Sequence, residues 1–555
     1  MKRILRILFF LLLLAVAAMA GYFFLGEEEE RDVYSFVPDD FIYLVESDRP
    51  VQDWKALSSS KSWQYLKGNS YFDDISGSAD YLDSLLDNNQ ALTKLITLGD
   101  LLISAHITKR DAYEFVILVD MKGLGKLGKL GAGITAILEG QEYEVQTEDY
   151  FGTTIWNMKD PATGDVLSLT RLSNVLIASY DKTLLKKSFA QSEAADLREQ
   201  SDFKLVQEAI ARDESYSLYL NYNVLEPYLK LYLSETPELL QDIEDLVAYS
   251  AFDFTMEDEK TYLKGYTKQR DSVASFLNIF KDVGKGRMLA DEVLPLNTAF
   301  FASINFDDFD DFYERFEEYY EENDSIGYAD LAHNKARVEK LLKIDVKKDF
   351  FSWMTDEVVT AVIPTNKQDE YAYYAMLHFD DYEDAKAGMD RVAEQVRKRS
   401  PARFEVTQHL GVPIRYLELK GFFKFFFKKM FSRIEQPHYA FVGEYVVFSN
   451  DASSLEYLID SYIGQQTLEY SSEWTDFKDN FERKGNMFAF VQNEYLYPYI
   501  RNQLDYETQV TLGKNKEYLQ AFPRIGLQLF PEKGMYRTLM YAEFEKEEEG
   551  LTINN

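Results

Sequence analysis

The chain has 555 residues, with 60 Lys and Arg against 94 Asp and Glu, and its net charge is −34. It contains no Cys, which excludes disulfides, zinc–thiolate sites, iron–sulfur clusters and cysteine nucleophiles. The acidity argues against nucleic acid as a partner, because phosphate contacts need a basic surface. A hydrophobic content of 46% predicts a folded chain, and the length predicts roughly two to four domains.

The N-terminal segment, 1–26, has the pattern of a signal anchor. Lys2, Arg3 and Arg6 precede an uncharged run at 7–25. At a rise of about 1.5 Å per residue, such a helix just spans a hydrocarbon core and leaves its basic flank in the cytoplasm. The sequence therefore predicts one transmembrane helix in the cytoplasmic (inner) membrane and a C-terminal bulk that is periplasmic or otherwise extracytoplasmic. The residues predicted to anchor the chain are Ile7, Leu8, Phe9, Phe10, Leu11, Leu12, Leu13, Leu14 and Val16.

A cleaved signal peptide is the alternative interpretation of the same segment. Ala18-Met19-Ala20 resembles a signal-peptidase site after a short Leu-rich region. The apolar run continues past Ala20, which favours the retained anchor. Both interpretations predict that the bulk of the chain is exported.

Five matches in the same order indicate two copies of one domain. The matched segments are 37–44 with 294–301, 150–155 with 409–414, 173–181 with 443–451, 202–203 with 476–477, and 219–229 with 490–500. The predicted domains are therefore 33–270 and 292–545. A packed connector at 271–291 joins them, and an acidic and polar tail at 546–555 follows.

Within each half, short strands and helices mix without regular alternation. Each half ends in a predicted hairpin. Its strands are 247–254 and 261–266 in the first half and 525–530 and 536–543 in the second, with turns at 257–260 and 531–534. A predicted helix in the second half places Phe309, Phe312 and Phe316 on one face, opposite Asp and Glu. The predicted fold class is α+β, with an N-terminal transmembrane helix followed by two homologous, mainly antiparallel-sheet domains in tandem.

This layout resembles a family of bacterial cell-envelope proteins described as domain of unknown function 3352. The resemblance rests on the short anchor, the cysteine-free body and paired elements in both halves. These elements are an apolar–Pro pair before an aromatic helix, and a strand that ends in Ser-x-Asp at 179–181 and 449–451. The resemblance covers nearly the whole chain and implies an envelope location, but no activity and no catalytic residue.

Two motifs that suggest ligand binding have simpler explanations. The segment 123–130 contains G-x4-G-K, but Leu130 stands where a P-loop needs Ser or Thr, so an amphipathic helix is favoured. The acidic segment 307–311 lies on a predicted helix, and calcium instead needs a bent loop with a Gly turn. A solvated acidic face is therefore favoured there.

The histidines form no recognised metal-ligand or nucleophile motif in the sequence. They are His106, His333, His378, His409 and His438. A metal site would need distant residues that only the fold brings together. The sequence therefore predicts no catalytic residue, no cofactor and no metal site.

One segment of the second copy has no counterpart in the first. Gly152 and Asp181 lie 29 positions apart, whereas Gly411 and Asp451 lie 40 apart, and the aromatic and lysine-rich segment 421–431 accounts for the difference. Such a patch predicts contact with a partner or with anionic lipid, and packing inside the domain is the alternative. The predicted contact residues are Phe422, Phe423, Phe425, Phe426, Phe427, Lys428, Lys429 and Phe431.

Together these patterns predict a membrane-anchored extracytoplasmic binding or scaffold protein of the bacterial cell envelope. Its expected partners are the membrane, through the N-terminal helix, and an envelope protein or lipid, but not nucleic acid. Two alternatives stay open. An extracytoplasmic hydrolase would need converging titratable groups between the two domains, and a carrier of lipid or apolar ligands would need an internal apolar cavity.

Overall fold

The structure is a computed structural model that divides into two compact units. Unit 1 comprises Met1–Val273 and unit 2 comprises Ala274–Asn555, so the division falls within the predicted connector. The described residues are 30–69, 99–109, 112–120, 144–159, 161, 164–193, 196–230, 246–271, 273, 276–323, 325–367, 370–399, 406–417, 431, 433–435 and 437–545.

Unit 1 contains a sheet in which all neighbouring strands are antiparallel. The strands are β1 (Phe41–Ser47), β2 (Asp100–Lys109), β3 (Ala112–Asp120), β4 (Glu144–Tyr150), β5 (Thr153–Lys159), β6 (Val166–Leu172), β7 (Val175–Ser179), β8 (Tyr216–Asn221), β9 (Val247–Met256) and β10 (Lys260–Gln269). Their order in the sheet is β10-β9-β8-β1-β2-β3-β7-β6-β5-β4. β1 lies in the interior of this strand order, and most of its side chains are buried. Its apolar sequence suits this position.

The helices of unit 1 cover this sheet and close its core. The helices are α1 (Pro50–Ser59), α2 (Lys61–Leu66), α3 (Lys182–Ser192), α4 (Ser201–Ala209) and α5 (Leu225–Leu229), with 3-10 turns at Val33–Phe36, Leu197–Glu199 and Tyr222–Val224. Phe203 of α4 is fully buried. Its ring lies 5.5–5.9 Å, between centroids, from those of Tyr34, Phe41, Tyr219 and Tyr249. Through this aromatic cluster, α4 packs against the sheet.

Unit 2 contains ten further strands, which also pair antiparallel with their neighbours. Its strands are β11 (Phe300–Asn305), β12 (Glu357–Pro364), β13 (Tyr371–His378), β14 (Val406–His409), β15 (Val412–Tyr416), β16 (His438–Val442), β17 (Tyr445–Ser449), β18 (Met487–Gln492), β19 (Arg524–Glu532) and β20 (Met535–Glu543). Their order is β20-β19-β18-β11-β12-β13-β17-β16-β15-β14. The first strand of the unit again lies in the interior of its sheet.

The helices of unit 2 pack around a large aromatic and aliphatic core. They are α6 (Phe309–Asn323), α7 (Ser325–Leu342), α8 (Tyr382–Arg399), α9 (Ala452–Ile463), α10 (Ser472–Lys478), α11 (Asn493–Arg501), α12 (Tyr506–Lys514) and α13 (Lys516–Gln520), with 3-10 turns at Phe276–Lys281, Ala290–Glu292 and Leu468–Tyr470 and a π-helical turn at Lys347–Phe351. Phe309, Phe312 and Phe316 of α6 are buried in this core. Ile279 and Phe280, which lie in the predicted connector, belong to the same core.

The strands of the two units share one pairing order, because each strand of unit 1 has a counterpart ten strands later. The turns between β4 and β5 and between β14 and β15 also match. Phe151 and Gly152 have φ values of 51° and 80°, and Leu410 and Gly411 have φ values of 47° and 85°. A type I′ two-residue hairpin turn requires positive φ at both of its central residues, and both turns meet that requirement. The repeated sequence segments therefore correspond to repeated topology, while the predicted domain limits stay a prediction.

The predicted fold class was wrong in placing a transmembrane helix before the two domains. No helix in the described part of the chain is long and apolar enough to cross a membrane. The longest of them, α7 and α8, have 18 residues each and carry charged side chains along their length. The segment predicted to be the anchor, including Ile7–Leu14 and Val16, lies outside the described residues. The finding contradicts the predicted signal anchor and the predicted single-pass location in the cytoplasmic membrane.

Candidate metal centre

The predicted contact patch lies almost wholly outside the described residues. Phe431 is its one described member; it is 1% exposed and belongs to the hydrophobic core of unit 2. For the other predicted residues, at 422–429, contact with a partner or membrane stays a prediction. The Gly-rich segment 123–130 also lies outside the described part of the chain.

The acidic segment 307–311 starts helix α6. The Asp311 N–H donates to Asp308 Oδ1 over 3.1 Å, as in a helix N-terminal cap. Phe309, between these acids, is buried in the core of the unit. The described geometry is that of an amphipathic helix start.

Two histidines form local hydrogen bonds within their own units. His106 is fully buried, with Nδ1 3.0 Å from Asp40 Oδ1 and Nε2 2.9 Å from Ser104 Oγ. The hydrogen bond from His106 holds the pKa of Asp40 well below its ordinary value. His409 Nε2 lies 2.6 Å from Asp460 Oδ1. Each of these imidazoles thus has one acidic partner and a structural explanation.

His378 has different surroundings, at a point where three chain segments meet. It is the last residue of β13 and stands opposite Tyr445 at the start of β17. The Thr355 N–H, before β12, donates to the His378 carbonyl oxygen over 3.0 Å. The Phe379 N–H donates to the Glu444 carbonyl oxygen over 2.9 Å. The antiparallel ladders thus fix the backbone on both sides of the imidazole.

Three carboxylates surround the imidazole ring. His378 Nδ1 lies 3.9 Å from Asp356 Oδ2 and 3.8 Å from Asp380 Oδ1, and Nε2 lies 3.6 Å from Glu444 Oε2. The imidazole is 3% exposed, whereas the carboxylate side chains are 37%, 69% and 62% exposed. One ligand atom from each of Asp356, His378 and Asp380 lies within 4.8 Å of the other two. A four-coordinate cation with bonds of about 2.0–2.2 Å separates its ligand atoms by roughly 3.3–3.6 Å. Small rotations of these side chains would therefore bring the three ligand atoms to the distances that an ion requires.

The cluster has more hydrogen-bond acceptors than protons. Thr355 Oγ1 lies 2.8 Å from His378 Nδ1, and its hydroxyl also lies within 3.2 Å of Asp380 Oδ1. A neutral imidazole carries one N–H, and the threonine carries one O–H. These two hydrogens face three carboxylates and one bare ring nitrogen, so the arrangement is electrostatically suited to a cation.

The pKa shift of His378 favours the form that binds metal. Burial lowers the pKa of His378 below its ordinary value, against the opposing effect of Asp356, Asp380 and Glu444. A lowered pKa keeps the imidazole neutral near pH 7, which is the form with a free lone pair. Asp356 shifts in the other direction: burial raises its pKa, which disfavours the carboxylate form that a metal needs, and the positive charge of Lys484 opposes that shift.

A second, fully buried carboxyl group lies behind the cluster. The Tyr445 hydroxyl donates to Glu357 Oε2, and the Leu289 N–H donates to the same oxygen over 3.0 Å. The Tyr445 ring stands edge-on to the His378 ring, with centroids 5.0 Å apart. Burial raises the pKa of Glu357 to about 7. Tyr445 therefore connects the imidazole with a carboxyl group that is partly protonated at neutral pH.

The corresponding positions of unit 1 hold a different set. Asp120 occupies the place in β3 that His378 occupies in β13, the last residue paired with the adjoining strand. Asn174 stands where Glu444 stands in unit 2. Its Nδ2 donates to Asp120 Oδ1 over 2.7 Å. Within the described residues, the histidine and carboxylate cluster is thus a feature of unit 2.

The sequence analysis predicted no metal site, and the pattern of the chain explains why this cluster escaped it. Asp356 lies 22 positions before His378, and Glu444 lies 66 positions after it. Only the pairings of β13 with β12 and β17 bring these side chains together. The one local signal is the His378-Phe-Asp380 triplet at the end of an apolar strand, and it matches no known ligand spacing.

The comparisons with known proteins add no functional information. No family model and no curated protein matches the chain, so the resemblance to domain of unknown function 3352 stays a prediction. A solved structure, described as crystal form I of TP0453, is similar at 8% identity and a TM-score of 0.19, covering 78% of this chain and 98% of that one. Similarity at this level carries no argument about fold or function. The hydrolase and carrier alternatives also stay predictions.

Proposed function

We propose that the chain is a binding protein whose second unit holds a divalent transition-metal ion. The observation that carries the proposal is the convergence of Asp356, His378 and Asp380, with ligand atoms within 4.8 Å of one another. Glu444 acts through the other ring nitrogen, where it orients the imidazole as carboxylates commonly do behind a metal-bound histidine. The proposal keeps the expected binding role and assigns no reaction.

The donor set supports a transition metal rather than calcium or magnesium. Imidazole nitrogen suits zinc, and mixed nitrogen and oxygen ligands also suit manganese, whereas calcium and magnesium take oxygen ligands. With a neutral imidazole, the three carboxylates give the cluster a formal charge of about −3. The net charge of −34 adds a field that attracts cations to the whole chain.

Asp380 offers the sharpest test, because its side chain is 69% exposed and its replacement leaves the core intact. We expect the metal-free protein to bind one Zn²⁺ in isothermal titration calorimetry. Asp380→Asn should bind Zn²⁺ at least about tenfold more weakly, because one charged ligand is lost. Asp310→Asn is the matched control, since it removes one exposed carboxylate from the start of α6.

Co²⁺ provides a second measurement that exposed carboxylates alone do not reproduce. Its visible absorption should show a nitrogen ligand in the wild type and lose that signature in His378→Gln, provided that circular dichroism shows a folded variant. Binding should also weaken on acidification, because His378 must be neutral to coordinate. Equal Zn²⁺ affinity in the wild type, Asp380→Asn and Asp310→Asn would overturn the proposal, since diffuse surface acidity would then explain the binding.

A further inference from the structure

A second feature of unit 2 is a basic pocket of about 620 Å³. Four cationic side chains line it, although the chain as a whole has a net charge of −34. They are Lys285, Arg483, Lys484 and Arg537, and the other lining residues are Phe481, Glu482, Phe530 and Glu532. Its volume lies within the range of about 300–1,000 Å³ that is typical of small-molecule sites.

A short backbone bridge sets the positions of two of the lysines. Gly286 and Gly485 form an isolated antiparallel bridge, with N–H···O distances of 3.1 and 3.0 Å. Lys285 precedes one bridge glycine, and Lys484 precedes the other. A Cβ atom at Gly286 would lie 2.4 Å from the Phe306 backbone nitrogen, so only glycine permits this approach. The backbone positions of the two lysines are therefore fixed, diagonally across this bridge.

The β19–β20 hairpin supplies an aromatic wall. Lys285 Nζ lies 3.7 Å from the centroid of the Phe530 ring, which is 3% exposed. Arg537 stands directly opposite Phe530 in the strand register. The ring supports the ammonium group through a cation–π contact, which leaves its hydrogen-bond donors available to a ligand.

Within the described part of the chain, three of the four cations have no acidic side chain in salt-bridge contact. Across the described ranges, Lys285, Arg483 and Lys484 have no carboxylate oxygen within 4.0 Å. Glu482 and Glu532 also line the pocket, which leaves it with a positive balance. Lys484 also acts on Asp356 at longer range, where it lowers the carboxyl pKa. The convergence of Lys285, Arg483 and Lys484 on one concave surface is suited to a multivalent anion.

We propose that this pocket binds a phosphate-bearing anion, either free or as a lipid headgroup. Phosphate carries up to two charges on three or four oxygens, so it can accept hydrogen bonds from several lysine and arginine donors at once. A single carboxylate would engage fewer of these cations. The anion pocket is separate from the proposed metal centre, and its occupancy requires no metal.

Pyrophosphate is the probe for the free form of the ligand, measured by calorimetry at low ionic strength on the full chain after removal of metal and chelator. We expect saturable binding that weakens as salt rises, because screening reduces the attraction. Lys285→Gln should weaken it at least about tenfold, since a positioned charge-assisted contact is lost. Lys514→Gln, an exposed lysine of α12 outside the pocket, removes the same charge and should change the affinity less than about twofold.

Vesicles distinguish the two sources of phosphate. Arg483→Gln should weaken pyrophosphate binding in the same way as Lys285→Gln. The second probe is a vesicle that contains phosphatidic acid. If the wild type binds these vesicles, if pyrophosphate competes with that binding, and if both variants lose it, then a lipid headgroup is a ligand of this pocket. The proposal fails if the folded wild type binds neither pyrophosphate nor the vesicles. It also fails if Lys514→Gln weakens binding as much as Lys285→Gln does.

Discussion

At the scale of single residues, Glu357 should give the chain a distinct pH dependence of stability. Burial raises its pKa from 4.5 to about 7 in the folded protein. The folded state therefore holds the proton more tightly, and this contribution to stability is complete below about pH 4.5 and is lost as the pH rises through about 7. Since each pKa unit corresponds to 1.36 kcal/mol, the effect is roughly 3 kcal/mol.

The substitution Glu357→Gln tests this assignment because glutamine cannot ionise. Its carbonyl oxygen can still accept from Tyr445 and the Leu289 N–H, so the packing is preserved. Between pH 5 and pH 8, the free energy of unfolding in urea should fall by about 3 kcal/mol less in the variant than in the wild type. Glu322→Gln, an exposed position of α6, is the control and should leave the wild-type profile unchanged. Superimposable profiles for wild type and Glu357→Gln would show that Glu357 is not the titrating group.

The burial of Glu357 could not be predicted from the sequence. A glutamate that opens an apolar strand is expected to face solvent, because ionised carboxylates are almost never fully buried. Tyr445 and Leu289, which satisfy its oxygens, lie 88 and 68 positions away. Such partners meet only through the fold, and the same is true of the carboxylates around His378.

At the scale of elements, the aspartates that end the repeated strand motif should each stabilise a helix. Asp181 Oδ1 accepts from the Thr183 N–H over 2.7 Å at the start of α3. Asp451 Oδ1 accepts from the Ser454 N–H over 2.9 Å at the start of α9. Loss of an N-terminal cap costs about 1 kcal/mol, so Asp181→Ala and Asp451→Ala should each lower the free energy of unfolding by about that amount.

Replacement by asparagine separates the cap from other roles of these aspartates. Asn retains an acceptor oxygen and is a good cap, so Asp181→Asn and Asp451→Asn should recover most of the loss in chemical denaturation. An asparagine variant as unstable as the alanine variant would assign the effect to charge rather than to capping.

Individual strands could be predicted from the sequence more readily than their order in the sheet. The predicted hairpin strands 247–254 and 261–266 lie within β9 and β10, because alternating aromatic and β-branched residues mark strands locally. The central place of β1 was not predictable, since it pairs with β8 across more than 170 positions, as Leu44 with Tyr219. The transmembrane helix was predicted from the hydropathy of one segment, and no described helix supports it.

At the scale of the whole molecule, the shared strand order implies that each unit is stabilised by its own core. Phe203 in unit 1 and Phe477 in unit 2 come from one pair of matched sequence segments, and both are fully buried. Phe477 lies 5.3 Å, between ring centroids, from Phe490 and from Tyr541 of its own unit. Phe203 contacts Tyr219, and Phe477 contacts Phe490, which is the counterpart of Tyr219 in the matched segments, so this core contact is repeated in both units.

Truncation of either ring should therefore destabilise the unit that contains it. Phe203→Ala and Phe477→Ala should each cost about 3–5 kcal/mol, as large core truncations do. In hydrogen-exchange mass spectrometry, Phe203→Ala should raise exchange in β1 and β8, and Phe477→Ala should raise it in β11 and β18. The milder Phe203→Leu and Phe477→Leu are the controls, because they leave smaller cavities and should show the same pattern at lower amplitude. Faster exchange in β11 and β18 of Phe203→Ala, equal to that in β1 and β8, would mean that the duplicated sheets unfold as one cooperative body. In that case the second sheet would depend on the first for its stability, and its proposed metal centre could not be studied in isolation.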